Sequence, residues 1–282
     1  MLFKTLKGGA RLAWSVATCV LASSGLRIDN LSRYTLVTLA LGAVGYGAHH
    51  AIVADVAESG RIWLVYAYFA ALFVTRYVYL FTSFGRGGIA DTLIHWFGEE
   101  RGYRIYEIGT AWMFFQRGLT FAPLVALHPW SLLSFAESTP VAHASLKTFC
   151  VVAGAALALL GFVVNTASTL VVGFDVYYYK DLFLRRAVGT FEVRGPYRYW
   201  SNPMYGIGQC SGYGAALMLG SVDGLAATLV NQLFMYGFYY LVEKPHITAV
   251  FGSQAPPASE PAPANVIALP TRARPIDVAV AD

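Results

Sequence analysis

Long apolar runs recur along this chain and constrain its fold more than any other feature. Residues 148–172 form the longest run and contain no charged side chain. About 20 such residues cross a ~30 Å hydrocarbon core as a helix. Only 13% of the 282 residues are charged, against about 25% in a soluble domain. Because ten-residue alternating strands are not evident, the sequence predicts an all-α, polytopic integral membrane bundle.

The apolar runs predict six to seven transmembrane helices. The six predicted spans are residues 35–56, 62–84, 111–127, 148–172, 203–220 and 222–243. The seventh depends on residues 12–22, a shorter apolar run that follows Lys4, Lys7 and Arg11. We interpret this run as a retained interfacial or first spanning helix rather than a cleaved signal peptide. The last two spans form a helical hairpin.

Three regions follow from composition. Residues 1–147 are N-terminal membrane helices with a polar cytoplasmic segment, 148–252 are the membrane core, and 253–282 are a tail. Half of the 12 prolines lie in that tail, which predicts disorder. The net charge of +4 does not indicate nucleic-acid binding. The three separated cysteines, in apolar surroundings, predict neither a metal site nor a disulfide. The sequence leaves the oligomeric state open.

The location of the protein is predicted from the distribution of basic residues. The connection between the longest span and the final hairpin is the most basic in the chain. Basic loops favour the cytoplasmic side, so we expect a multi-pass protein whose site faces the cytoplasm. Short loops and the alanine-rich tail favour a bacterial inner membrane; in a eukaryote the endoplasmic reticulum is the corresponding membrane.

The stretch from Gly195 to His246 concentrates the chemistry. Asn202 is a suitable helix N-cap and Pro203 suits the first helical position, so the sequence predicts a helix that begins there. The free amides and positive dipole of such a helix start favour an anion. Gly206 and Gly208 follow directly and allow a ligand to approach the backbone closely.

Glu243 closes this stretch. Pro245 disfavours helical geometry at Lys244, which predicts that the last helix ends at Glu243. A carboxylate at a helix C-terminus needs a positive partner. A ligand ammonium, Lys244 or Arg198 can each supply that charge, so a ligand site and a structural salt bridge both remain open. The hairpin brings Glu243 to the same side of the membrane as Asn202.

The segment before this stretch combines tyrosines, acids and bases. Helical spacing predicts one stripe along this segment, formed by Phe174, Tyr178, Asp181 and Arg185. Tyrosine rings there can hold a cation, although an interfacial tyrosine belt explains them equally well. Lys180, Arg185 and Arg186 are the predicted ligands of a lipid phosphate.

A polar segment at residues 86–107 is either a solvated face or a cover over the site. In the second case Glu99 or Glu100 reaches a cationic headgroup.

Three motifs resemble one family. GFDVYYYKDLF (173–183), GPYRYWSNPMYGIGQ (195–209) and YLVEKPHITAVFG (240–252) are similar to the C-terminal signatures of phospholipid N-methyltransferases, especially the fungal phosphatidylethanolamine branch. The resemblance covers residues 165–252 and implies S-adenosylmethionine as cofactor. Two positions depart from the family pattern: Lys244 replaces the second of two paired acids, and Asp175 replaces the second glycine of a Gly-x-Gly element. The cofactor ligands implied are Gly173, Asp175, Arg198, Tyr199, Asn202, Pro203, Met204, Tyr205, Gly206, Gly208, Glu243 and Lys244.

The resemblance implies methyl transfer to the amino headgroup of phosphatidylethanolamine, and of its monomethyl and dimethyl derivatives, toward phosphatidylcholine. The partners are then a phospholipid substrate and the bilayer. Because a primary ammonium must lose a proton before attack, a base is needed. The candidate bases are His246, Asp181, Tyr178 and the Glu99/Glu100 pair. The predicted catalytic residues are Glu243, His246, Asp181 and Tyr178. A membrane sterol or enone reductase using NADPH, an isoprenylcysteine-type carboxyl methyltransferase and a non-enzymatic membrane scaffold are the alternatives.

Overall fold

The computed structural model describes residues 2–29, 31–136, 140–188 and 194–251. All regular secondary structure within these ranges is helical, which confirms the predicted all-α class. The α-helices are α1 (Leu2–Ser23), α2 (Arg33–Ser59), α3 (Trp63–Ser83), α4 (Ile89–Phe97), α5 (Glu99–Ala126), α6 (Pro140–Val172), α7 (Phe174–Tyr177), α8 (Lys180–Leu184), α9 (Cys210–Met218), α10 (Val222–Phe238) and α11 (Lys244–Phe251). The predicted tail at 253–282 lies outside the described residues.

Four helical segments of the described chain are long and apolar enough to cross a membrane. They are Arg33–Val56, Trp63–Ser83, His143–Val172 and Val222–Val250. The predicted membrane bundle is therefore confirmed, with fewer such segments than the six to seven spans expected. The difference arises at residues 2–23, 111–127 and 203–220, none of which is among the four.

Residues 111–126 belong to the longer helix α5, and Leu127 caps its end. Its N-terminal half carries charged residues, while Tyr103, Tyr106 and Thr110 are fully buried. Helices α2, α3, α4 and α10 all pack against it. Since α5 is surrounded by other helices, its polar side chains face protein rather than lipid, which explains why its sequence is less apolar than that of a lipid-facing span.

The predicted span at 203–220 is broken near its start. Residues 203–206 form turns, a 3-10 helix covers Ile207–Gln209, and α9 begins only at Cys210. The prediction of a helix starting at Asn202 is therefore wrong. At 1.5 Å per residue the nine-residue α9 is about 14 Å long, too short to cross the membrane.

Close packing holds α9 against α6. A Cβ atom added at Gly161 would lie 2.1 Å from the backbone nitrogen of Ser211, and one at Gly214 would lie 2.3 Å from that of Ala158. Glycine at these two positions therefore lets the helix backbones touch. This packing places the end of the 202–209 segment directly beside α6.

The last helix does not end at Glu243, so that prediction is also wrong. The N–H of Lys244 donates to the carbonyl of Tyr239, and Tyr239–Glu243 forms a π-helical turn that leads into α11. The wider turn lies immediately before Pro245, which has no N–H to donate. Glu243 thus lies within one continuous helical segment, and the helix-end argument for its positive partner no longer applies.

The predicted stripe in 174–185 is interrupted, because the segment forms two short helices, α7 and α8, rather than one. Tyr179 (φ 60°) and Arg185 (φ 52°) adopt left-handed backbone conformations at the ends of α8. The hydroxyl of Tyr178 instead donates to the carbonyl of Ala22 in α1 at 2.6 Å. Because the helix is broken between them, Tyr178 and Asp181 do not share one helical face.

Buried ion pairs hold this corner in place. The guanidinium of Arg27 lies 2.7 Å from Glu107 on α5 and 2.8 Å from Asp175 on α7. Lys180 donates to the other oxygen of Asp175 at 2.9 Å. Burial alone raises the pKa of Asp175, but hydrogen bonds from Lys180 and Arg27 outweigh it and bring that pKa below its ordinary value. Asp175 therefore joins α7 and α8 to Arg27, which follows α1 and also binds Glu107 on α5.

Candidate active site

A cavity of about 140 Å³ lies where α8, the turns at 201–205 and the π-helical turn meet. It brings together six of the residues predicted from the sequence. Those residues are Asp181, Asn202, Met204, Tyr205, Glu243 and His246. Residues more than sixty positions apart in the sequence therefore line the same cavity.

Glu243 accepts a short hydrogen bond inside this cavity. The hydroxyl of Tyr205 donates to Glu243 Oε1 at 2.6 Å, and the side chain of Asn202 accepts from the backbone N–H of Tyr205 at 3.1 Å. Asn202 thus fixes the turn that presents Tyr205. Within the described ranges Glu243 forms no ion pair, and neither Arg198 nor Lys244 neutralises it. Lys244 is exposed, with its ammonium over the ring of Tyr240.

Asp181 and His246 face each other across the same cavity. Their nearest atoms, Oδ2 and Nε2, are 3.6 Å apart. Asp181 is only 6% exposed. Nε2 of His246 is buried and has no hydrogen-bond partner in the described part of the chain. The imidazole therefore presents a nitrogen that can accept or donate a proton next to a carboxylate.

Tyrosines form much of the remaining wall. Tyr177, Tyr179, Tyr197 and Tyr239 all line the cavity. Burial, together with the nearby charge of Glu243, raises the pKa of Tyr179 and of Tyr197 above the ordinary tyrosine value. Both hydroxyls therefore stay protonated at neutral pH. Aromatic faces beside carboxylates suit a cationic ligand.

The inner end of the cavity contains two arginines that the predicted site lacks. Arg76 of α3 and Arg117 of α5 line it together with Gln209. Arg117 is a charged residue within the predicted span 111–127. The signal that identifies Arg76 is also in the sequence, because a charged residue in the middle of an apolar helix usually faces a cavity or a partner.

The three predicted phosphate ligands do not line this cavity. Each is bound to a carboxylate elsewhere: Lys180 to Asp175, Arg185 to Asp91 and Arg186 to Glu99. Glu99 is therefore paired with a side chain of the same protein, and Glu100 lies 3.3 Å from Arg104. The polar segment at 86–107 thus packs on the α8 corner through ion pairs.

The other predicted residues also lie outside the cavity. Tyr178 is fully buried beneath the guanidinium of Arg27. Gly173 (φ 80°) makes the bend between α6 and α7, and Asp175 takes part in the ion pairs described above. Tyr199 and Gly206 line a neighbouring open groove, and Arg198 is exposed. Pro203 is buried within the turn, where its carbonyl accepts from the N–H of Gly208 at 2.8 Å.

The geometry supports two kinds of chemistry. Glu243 and Asp181 place two carboxylates around one enclosed space, which suits a ligand that carries positive charge. His246 adds an imidazole nitrogen that no other described group binds. Within the described residues this cavity therefore combines two carboxyl groups, several tyrosine rings and one imidazole.

Comparison with known proteins agrees with the sequence motifs. The family model for phospholipid methyltransferase matches residues 149–254. A phosphatidylethanolamine N-methyltransferase of Schizosaccharomyces japonicus is 34% identical over 91 residues, which are 32% of this chain and 10% of the relative. The protein of the same name from Eremothecium gossypii is 26% identical over 159 residues, which are 53% of this chain and 18% of the relative.

A third relative, the phosphatidylethanolamine N-methyltransferase of Schizosaccharomyces pombe, is 30% identical over 115 residues, which are 40% of this chain and 12% of the relative. The chain thus spans less than a fifth of the length of these relatives. No solved structure matches it significantly. The matched segment contains Asp181, Tyr205, Glu243 and His246. The similarity to phospholipid methyltransferases is thus carried by residues 149–254.

Proposed function

We propose that this protein transfers a methyl group from S-adenosylmethionine to the amino headgroup of phosphatidylethanolamine. The observation that carries the proposal is the single cavity that Tyr205–Glu243 and Asp181–His246 share inside the family-matched segment. The relatives' names supply the reaction class and the acceptor lipid. Further methylation of the monomethyl and dimethyl lipids, toward phosphatidylcholine, belongs to the same proposal.

The residues of the cavity fit the proposed cofactor. Glu243 is a carboxylate without an ion pair in the described ranges, and it suits the cofactor's ammonium group. The rings of Tyr179 and Tyr197 suit its cationic and aromatic parts. Asn202 and Met204 complete this wall. When bound, S-adenosylmethionine supplies a methyl group on a positively charged sulfur. The remaining cofactor ligands implied by the resemblance stay predictions.

The proposed proton acceptor is His246. In its neutral form, Nε2 takes the proton from the substrate ammonium directly or through one water. Asp181 lies 3.6 Å away and stabilises the resulting imidazolium. The tyrosine faces hold the lipid nitrogen, which keeps its positive charge once it is fully methylated. Tyr178, buried against α1, supports the corner that carries Asp181.

The membrane location belongs to the proposal as well. The four candidate spans make this a multi-pass membrane protein. We infer that the cavity opens toward the cytoplasm, because the basic connection at 173–200 lies at this end. A bacterial inner membrane, or the endoplasmic reticulum in a eukaryote, would supply the lipid.

A single assay separates the proposal from its alternatives. Purified protein in phosphatidylethanolamine nanodiscs is incubated with methyl-labelled S-adenosylmethionine, and the lipid is extracted. We expect label in the phospholipid fraction. Parallel samples contain a sterol with NADPH, or a prenylated cysteine peptide with the labelled cofactor. An unlabelled phospholipid together with NADPH oxidation would identify a reductase, and label only in the peptide would identify a carboxyl methyltransferase. No turnover and no cofactor binding would indicate a scaffold.

A further inference from the structure

We propose that Arg76 and Arg117 bind the phosphodiester of the phospholipid substrate. The identity of the lipid rests on the proposed function, whereas the presence of an anion site rests on the structure alone. Both arginines lie outside the segment that matches the family. Their acceptors Asn231 and Gln209 lie inside that segment, so the site combines the two parts of the chain.

Arg76 is a buried cation whose hydrogen bonds are incomplete. It is 8% exposed and lies within the candidate span Trp63–Ser83. One terminal nitrogen donates to Asn231 Oδ1 at 3.0 Å and the other to the sulfur of Met235 at 3.4 Å. Its Nε is buried and has no partner among the described residues. An amide and a thioether do not neutralise a guanidinium.

Arg117 is the second cation of the pair, and the charge of Arg76 acts on it. It donates to Gln209 Oε1 at 3.3 Å, and the same oxygen accepts from Asn231 Nδ2 at 3.1 Å. Gln209 is 5% exposed and donates in turn to the carbonyl of Met204 at 3.1 Å. Amide side chains therefore hold both arginines and connect them to the turn that carries Tyr205.

Neither arginine forms an ion pair with a carboxylate in the ranges that the structure describes. Other arginines of the chain do: Arg27, Arg185 and Arg186 are each bound to an acid. Two like charges side by side in a low-dielectric region repel each other, and each loses its hydration. A bound anion removes both penalties, and a phosphodiester offers two oxygens to guanidinium donors.

The surroundings of the pair favour a lipid over a small soluble anion. Arg76 and Arg117 line both the cavity that contains Glu243 and a second cavity of about 550 Å³. Phe69 and Leu72 of α3, and Phe121 of α5, contribute apolar walls to the larger cavity. A ligand with a phosphate at the arginines can therefore place acyl chains on one side and its amine on the other.

Distances along the helices are consistent with a lipid phosphate at the two arginines and a lipid amine on the side of Glu243. Helices α3 and α10 run in the same direction, since Phe73 contacts Phe234 and Phe81 contacts Phe238. Asn231, which binds Arg76, lies roughly 18 Å before Glu243 along the helical axis at 1.5 Å per residue. That length accommodates a headgroup and a methyl donor end to end. Arg76 itself lies about 10 Å before the end of α3 by the same rise, so the lipid phosphate sits below the helix ends.

The test measures ligand binding rather than turnover. Short-chain phosphatidylethanolamine, diacylglycerol, phosphoethanolamine and adenosylhomocysteine are each titrated into the detergent-solubilised protein. The variants are Arg76→Gln and Arg117→Gln, with Arg61→Gln as the control because Arg61 is exposed and paired with Asp55. We expect roughly 10- to 100-fold weaker phosphatidylethanolamine binding in the first two variants. Diacylglycerol and adenosylhomocysteine affinities stay within about twofold.

Each other outcome is decisive. Unchanged phospholipid affinity in folded Arg76→Gln and Arg117→Gln protein overturns the proposal, as does a loss that appears instead in Arg186→Gln. A loss confined to adenosylhomocysteine assigns the pair to the cofactor carboxylate. Phosphoethanolamine binding as tight as that of the lipid assigns it to a soluble phosphate compound.

Two further results distinguish the loss of an anion site from a folding defect and from a failure of the proposed function. If Arg76→Gln does not fold, Arg76→Lys keeps the charge but loses the paired donors. We then expect an affinity between those of wild type and Arg117→Gln, and wild-type affinity would contradict bidentate binding. Arginine-dependent phospholipid binding without any adenosylhomocysteine binding would refute the proposed function and leave the anion site standing.

Discussion

Replacing Glu243 by glutamine tests the proposed cofactor contact. The amide has the shape of the carboxylate, and its oxygen can still accept the hydrogen bond that Tyr205 donates at 2.6 Å. The fold should therefore persist. The change removes one negative charge from a cavity in which Glu243 forms no ion pair within the described ranges. The predicted consequence is weaker binding of a ligand ammonium.

The magnitude follows from the kind of bond that is lost. A hydrogen bond to a charged group contributes about 1.5–3 kcal/mol. That free energy corresponds to roughly a 10- to 150-fold change in dissociation constant. We expect Glu243→Gln to weaken adenosylhomocysteine binding within this range in calorimetric titrations at pH 7.

Two controls make the measurement specific. Methylthioadenosine has the adenosine and sulfur of the cofactor but lacks its amino-acid group, so its affinity should be the same in wild type and Glu243→Gln. Glu100→Gln removes a carboxylate that is 75% exposed and pairs with Arg104 on the surface. Its effect should be less than twofold. Equal losses for both ligands, or no loss for either, would refute the assignment of Glu243 to the ammonium.

Three other substitutions test the proposed base His246, the ion pairs of Asp175 and the packing of α6 on α9. His246→Asn should lower methyl transfer by about 10²- to 10⁴-fold while adenosylhomocysteine affinity stays within twofold; retained activity would exclude His246 as the base. Because the pKa of Asp175 is lowered in the fold, its stabilising contribution is complete above the unfolded pKa of about 4 and is lost as pH falls through the folded value. Thermal unfolding should therefore show Asp175→Asn less stable than wild type at pH 7, with the gap closing in acid; a gap that widens on acidification would contradict the pairing with Arg27. Gly161→Ala should destabilise by about 1–3 kcal/mol, because its Cβ would lie 2.1 Å from a backbone nitrogen across the helix interface. Gly47→Ala, with nothing within 4 Å of its Cβ, should be tolerated; equal denaturation midpoints for these two variants would argue against the packing of α6 on α9.

Part of the site could be read from local sequence. Asp181, Asn202, Met204, Tyr205, Glu243 and His246 all lie in motifs of the C-terminal part, and the structure brings all six to one cavity. Their residue types predicted sites for both charges, because a predicted helix start that favours an anion and an acid that needs a positive partner stood at the two ends of a hairpin. The reasons given for two of the positions were nevertheless wrong, since α9 begins at Cys210 and the last helix continues past Glu243.

Both errors concern the predicted ends of helices, which the sequence pattern alone did not place correctly. Propensity and capping rules favour a helix at Asn202 and a stop before Pro245. In the structure Asn202 instead caps a turn, whose Tyr205 hydroxyl reaches Glu243, and a π-helical turn accommodates the proline. Contacts between distant segments outweighed preferences worth about 1 kcal/mol each.

The sequence by itself determined the class of the protein, because a chain this apolar and this poor in charge can satisfy its backbone in lipid only as helices. It also predicted the motifs in which six residues of the candidate site lie. Only the tertiary structure decided which charges are used internally and which face a cavity. Lys180, Arg185 and Arg186 are paired with acids, whereas Arg76 and Arg117 meet only uncharged acceptors in the described chain. Apart from Lys180 and Asp175, which are 5 positions apart, these contacts join side chains 87 to 155 positions apart, and no local pattern records which of them meet.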